Sequence, residues 1–295
     1  MADDLGWADV AFSSNYDDVP ETPNLDKLAK ESLVLDNLYG QAACTPTRGS
    51  VMTGKYAYRL GKQFSSFIMT STDKKGPSTK FLSEELINYG YKVHGIGKWH
   101  LGHQEGSLPT QKGFDSFYGI YYGMGSYYGH KGVRHYHRDG TWFAQQGNHD
   151  FHYDYKNGST FRFTEPGDDF DIHSTELFTK AAVDRIKEHD INKPLFLYVA
   201  YTAPHSPLEP DENIASERNK HITSLDRRRY AAMVTQMDEG VGEILGALDE
   251  QNMRNNTVIV FLSDNGAALL KSCWDYVGGS NGYRTTRHKA PIPNI

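Results

Sequence analysis

Cysteine is nearly absent from this chain: Cys44 and Cys273 are the only two in 295 residues. Two cysteines exclude a disulfide framework of the kind that staples small extracellular domains. No group of histidines and cysteines has the spacing of a structural zinc site. Long apolar runs are missing too, and none approaches the roughly 20 residues a membrane-spanning helix needs, so no transmembrane segment is expected. Basic charge is not in surplus: 31 Lys and Arg stand against 37 Asp and Glu, a formal net charge of −6. That balance argues against nucleic acid as a partner. The length supplies one large domain or two small ones, with ample core, and there is no internal repeat, low-complexity tract or linker to divide the chain. Met1 to Trp7 shows no charged-then-apolar leader.

What is present is an alternation of helical and strand-like periods. Thr22 is placed to cap a helix over Pro23–Ala29, with proline in its first turn. Lys80 to Tyr89 reads as a helix ended by Gly90, and Lys92–Ile96 as a short strand. An amphipathic helix is expected over Ser174–His189, a buried strand over Leu195–Ala200 and a long helix over Leu225–Asp249. A second near-continuous apolar strand is expected over Thr257–Leu262. Such alternation predicts an α/β fold, a mostly parallel central sheet with helices on both faces. Between Gly113 and Pro166 the chain is crowded with Tyr, Gly and His and shows no long period. It reads either as an irregular surface excursion or as an aromatic wall of a substrate pocket.

Chemistry-bearing residues gather where this fold places ligands, beyond the carboxyl ends of strands. Ala43-Cys44-Thr45-Pro46-Thr47-Arg48 opens an expected helix, and both the helix N-terminus and Arg48 favour negative charge at Cys44. A small buried cysteine ahead of a helix is the plain alternative. Ser263-Asp264-Asn265-Gly266 follows the second apolar strand, and Asp3-Asp4 stands at the start of the chain. Each alone reads as a solvated turn; together they make the all-oxygen ligand set that suits calcium or magnesium. Lys98 and His100 follow one strand, and His205 follows another. A divalent cation, two basic groups and two imidazoles are what an anionic ester needs at its reaction centre.

Cys44-x-Pro46-x-Arg48, running into Val51-Met52-Thr53-Gly54, resembles the signature of the sulfatases of the alkaline-phosphatase-like superfamily. The resemblance extends over nearly the whole chain, at Ala2–Trp7, the Cys44 block, Gly97–Gly102, Ala203–Pro207 and Ser263–Gly266. Gly113-Phe114-Asp115-Ser116-Phe117-Tyr118-Gly119 looks most like the animal arylsulfatase B-type branch. The resemblance implies a sulfuric ester hydrolase whose Cys44 is converted to formylglycine, with Asp3, Asp4, Asp264, Asn265 and the modified Cys44 binding one Ca2+ per subunit. Arg48 and Lys98 would hold the nucleophile and neutralise charge, His205 would protonate the departing alcohol, and His100 would assist release of sulfate. Implied partners are a sulfated carbohydrate or aryl sulfate, with N-acetylgalactosamine 4-sulfate suggested by the branch, and the formylglycine-generating enzyme. A lysosomal or secreted location follows by the same route, where Asn157 and Asn255 would be glycosylation acceptors. Residues 1–295 then correspond to the sulfatase catalytic (N-terminal) domain, without its first strand and the family's smaller C-terminal domain. The family's further sulfate-binding lysine has no counterpart in register after Gly278-Gly279-Ser280-Asn281, and Arg284 and Lys289 are the candidates to replace it. A catalytically silent relative that binds sulfated ligands is the competing reading.

Overall fold

The structure, a computed structural model, describes residues 1–63, 75–138, 141–156, 158–163 and 171–267. The chain forms two compact units: Met1 with Ala43–Thr202, and Ala2–Ala42 with Ala203–Ile295. No composition shift marks the crossings, so neither unit is legible as a contiguous block of sequence.

The first unit is built on a five-stranded sheet in the order β6-β5-β2-β1-β7. Its strands are β1 (Lys92–Lys98), β2 (Ser116–Ile120), β5 (His152–Tyr155), β6 (Gly158–Phe163) and β7 (Leu195–Ala200). β1 pairs in parallel with both β2 and β7, while β5 and β6 extend the sheet antiparallel beyond β2. The fold is thus mixed α/β with the expected parallel centre. β3 (Lys131–Arg138) and β4 (Thr141–His149) form a separate antiparallel ribbon. The described residues between 113 and 163 therefore hold more strand than the sequence suggested. No single period runs through them because the chain breaks into separate strands of four to nine residues.

The helices of this unit are α2 (Cys44–Thr53), α3 (Leu82–Leu86) and α4 (Ser174–Lys187). α4 packs on β1, β2 and β7, burying Leu177, Phe178, Ala182 and Ile186. These are spaced at one and two helical turns, as an amphipathic stripe requires. The expected helix over Lys80–Tyr89 is shorter, with α3 passing into a 3-10 turn over Ile87–Tyr89 that ends at Gly90 in the left-handed conformation. Beneath the end of β1, Trp99 is fully buried among Phe81, Phe114 and Phe117.

The second unit holds α1 (Pro23–Lys30) and α5 (Leu225–Glu250). Thr22 does not cap α1. Its hydroxyl accepts from the Ala11 N–H at 2.9 Å, and the buried Asp238 of α5 takes the Asn24 and Leu25 N–H groups at 3.1 and 2.7 Å. A carboxylate meets the helix dipole better than a hydroxyl does, but only the fold delivers it. Burial pushes the Asp238 carboxyl above its ordinary range, and these hydrogen bonds oppose that shift.

The strand expected over Thr257–Leu262 is absent. The segment joins no ladder, and the one bridge at its end is Ala2 to Ser263. Val258 and Val260 are 91% and 69% exposed. An apolar run becomes a strand only where another backbone pairs along it, and here that pairing reaches only its last residues.

Candidate functional site

In the first unit, α2 begins on Cys44 itself, with Ala43 as the extended residue before it. Cys44 is half-buried and stands where unpaired helix N–H groups concentrate positive potential. Arg48 follows one turn later and is fully buried. Its Nη1 donates to the Lys98 carbonyl at 2.8 Å and reaches the Tyr198 hydroxyl at 3.4 Å. Lys98, the last residue of β1, is also fully buried. Beyond Lys98 the chain keeps following β2, with Trp99 N–H on the Ile120 carbonyl and His100 N–H on the Tyr121 carbonyl. Thr45 Oγ1 donates to the His100 carbonyl at 3.2 Å. The first turn of α2 and the end of β1 are therefore stitched together, through Arg48 on the Lys98 carbonyl and Thr45 on the His100 carbonyl.

Gly97 makes that stitching possible. Its φ is +95°, and a Cβ there would lie 1.9 Å from the Ala200 carbonyl oxygen, so only glycine lets β1 twist into Lys98 beside β7.

In the second unit, the acidic residues assemble across the full length of the sequence. The Asp4 N–H donates to Asp264 Oδ1 at 3.1 Å, and the Asp264 N–H donates to the Ala2 carbonyl. Ser263 Oγ accepts the Leu5 N–H at 3.0 Å and donates to the Asn265 carbonyl at 2.6 Å, fixing the turn. Asn265 Nδ2 donates to Asp4 Oδ1. His205 Nε2 lies 3.5 Å from Asp4 Oδ2, and its Nδ1 is 2.7 Å from the Ser206 carbonyl. Asp3, Asp4 and His205 each offer a ligand atom within 4.8 Å of the others. Asn265 Oδ1 is buried without a donor, an acceptor that a cation would satisfy. The donor set is oxygen-rich and fits a hard divalent ion.

Backbone strain marks both groups. Asp4 and His100 adopt φ of 60° and 55°, the left-handed region that costs a side-chain-bearing residue about 1–2 kcal/mol. Sequence reading missed Tyr230, which sits in mid-helix on α5 and looks like core. Its hydroxyl lies 3.2 Å from the Asp4 carbonyl and 3.0 Å from Asp9 Oδ2, and accepts from the Gly6 N–H. Burial, with the Asp9 charge, pushes its phenol well above the ordinary range. The candidates Arg284 and Lys289, and Cys273 and Asn157, lie outside the described residues.

A cavity of about 360 Å³ lies elsewhere in the first unit, at the start of β1, lined by Lys92, His94, Asp115, Lys156, Arg185 and Lys193 among others. It is separate from the Lys98 end of the strand. Burial, reinforced by Arg185, lowers the His94 pKa to about 4. His94 is thus neutral in the fold, while an unfolded chain protonates it near pH 6.5. Stability from this group is complete above pH 6.5 and is lost as pH falls towards 4. His94→Gln is expected to reduce the Tm loss between pH 7 and pH 4.5 by a few degrees relative to the parent chain, read by thermal melts at both values.

The family model described as Sulfatase matches residues 1–291. The chain belongs to the sulfatase family. Mouse arylsulfatase J is 36% identical over 95% of this chain and 43% of its own length. Human N-acetylgalactosamine-6-sulfatase is 29% identical over 96% of this chain and 51% of its own length. The chain thus spans about half the length of the curated relatives it matches, and neither of their names carries the 4-sulfate. Among solved structures, Ps i-CgsB is 31% identical with a TM-score of 0.71, covering 91% of this chain and 58% of that one. PsFucS1 sulfatase from Pseudoalteromonas sp. is 26% identical with a TM-score of 0.72, covering 90% of this chain and 54% of that one. Sulfate ester hydrolysis is the activity of this family. Among the described residues no helix is long and apolar enough to cross a membrane.

Proposed function

We propose that this chain hydrolyses sulfate esters of carbohydrates by way of a formylglycine made from Cys44. The observation that carries this reading is a helix that starts on Cys44, with the buried pair Arg48 and Lys98 held beside its first turn. A buried double positive charge at a helix N-terminus suits a sulfate group and the negative charge that grows on its oxygens. Arg48 and Lys98 hold the nucleophile and neutralise that charge. His205 gives a proton to the leaving alcohol, and His100 handles the proton of the step that releases sulfate. Asp3, Asp4, Asp264 and Asn265, with converted Cys44, would hold Ca2+, which supplies positive charge against the sulfate oxygens. Converted Cys44 supplies an aldehyde hydrate, with one hydroxyl to attack sulfur and a second to drive sulfate out.

The relatives support one substrate class. Those named for N-acetylgalactosamine 6-sulfate, and the solved Ps i-CgsB complex with k-i-k-neocarrahexaose, favour a sulfated carbohydrate over a purely aromatic ester. Sulfated N-acetylgalactosamine is the proposed substrate, reached through a secretory or lysosomal route on which the formylglycine-generating enzyme acts. The test is production in a host with that converting enzyme, followed by the mass of the Cys44 peptide and sulfate release from an aryl sulfate and from N-acetylgalactosamine 4- and 6-sulfate. Formylglycine and sulfate release are expected. Thiol throughout with no release overturns the reading, and binding of sulfated sugar without turnover identifies a silent binding protein instead.

A further inference from the structure

The imidazole of His100 rests directly on the backbone of Gly123. A Cβ built at Gly123 would lie 2.6 Å from His100 Nε2 and 2.7 Å from its Cε1, distances at which two heavy atoms cannot coexist. Gly123 is itself buried, and His100 is only 2% exposed, so neither side has open solvent to retreat into.

Neither backbone yields easily. His100 is pinned in its left-handed conformation by its N–H on the Tyr121 carbonyl and its carbonyl on Thr45 Oγ1. The residues leading to Gly123 are clamped from beneath. Asp150 accepts the Tyr121 and Tyr122 N–H groups at 3.0 and 2.9 Å and lies 2.8 Å from His152 Nε2. The His152 ring stacks on Tyr121 at 3.8 Å, and the Tyr121 hydroxyl donates to Asp154. With both main chains held, a side chain at 123 is accommodated by rotating the imidazole off its place.

We infer that Gly123 is a positioning residue: its missing side chain is the seat that fixes the His100 imidazole for turnover. Its role is steric and does not depend on glycine's access to positive φ. The catalytic consequence rests on the proposed role of His100; the steric coupling does not.

The experiment is a double-mutant cycle of Gly123→Ala, His100→Ala and the pair, with Gly246→Ala as control. Gly246 lies in α5 and has no atom within 4 Å of an added Cβ. Gly123→Ala is expected to lower kcat on an aryl sulfate about 10–100-fold with KM changed less than about threefold. It is expected to lower Tm by about 2–6 °C. With the imidazole removed, the same alanine costs nothing further: the pair matches His100→Ala in kcat and regains the lost Tm. Gly246→Ala leaves kcat unchanged. Additive losses in Tm and kcat, or Gly123→Ala turning over like the parent, overturn the inference. If Gly123→Ala does not fold, folding of the pair supports the inference and failure of both overturns it. If the parent chain proves inactive, the proposed role of His100 falls, and the thermal coupling alone decides whether Gly123 seats the imidazole.

Discussion

Cys44→Ala is expected to reduce sulfate release by at least about 10⁴-fold while leaving Tm within about 2 °C of the parent. Both halves of this expectation come from where the residue sits. Cys44 is half-buried at the first position of α2. Alanine is the best helix former, so the helix that carries Arg48 into the interior persists. What is lost is the atom proposed to attack. Cys44→Ser separates attack from release. A serine hydroxyl can take the sulfuryl group from the ester but has no second hydroxyl to expel it. One equivalent of alcohol per chain with the sulfate retained on the protein is the expected result, read by a burst assay and by mass. Steady turnover by either variant would show that Cys44 is not the nucleophile's precursor.

Asp264→Asn is expected to act in opposite directions with and without calcium. Asp264 is fully buried, and its Oδ1 accepts the Asp4 N–H, a contact the asparagine amide oxygen can keep. The substitution removes one buried negative charge at the backbone of Asp4, itself part of an acidic group with Asp3. Without a cation, like charges in a buried site repel strongly, so the chelated variant should melt about 2–4 °C above the chelated parent. With calcium, the charge of a proposed ligand is missing, and half-saturation should require at least about 100-fold more ion. The calcium-induced rise in Tm shrinks accordingly. Thermal melts across a calcium titration, with sulfate release alongside, read both effects. A variant less stable than the parent in chelator, with an unchanged calcium response, would rule out Asp264 as a cation ligand.

Much of the candidate site was legible because its signals are local. Cys44, Pro46 and Arg48 lie within one turn of a helix whose start their own chemistry favours, and the structure begins α2 on Cys44. Lys98 and His100 were readable as residues after a strand, since β1 runs through Lys98. Ser263–Gly266 was readable as a turn, and its side-chain bond from Ser263 to the Asn265 carbonyl is of that kind. Tyr230 was not legible, because a tyrosine on the buried face of a long helix has the same pattern whether it packs or hydrogen-bonds to Asp4. The seat under His100 was hidden for a related reason: the sequence shows a glycine at 123 and cannot say what occupies the space above it.

By itself the sequence determined the residue types that carry charge and those proposed for metal binding and proton transfer, and the periods that become α4, α5, β1 and β7. Those properties are set within a few bonds along the chain. The tertiary structure decided every relation between distant partners. It brought Asp4 to Asp264 across 260 positions and capped α1 with Asp238 instead of Thr22. It also left the apolar run before Ser263 outside the sheet, with one bridge at its end. A cap needs an acceptor, a strand needs a neighbouring backbone and a cation site needs converging oxygens, and each of these is supplied by folding and not by adjacency in sequence.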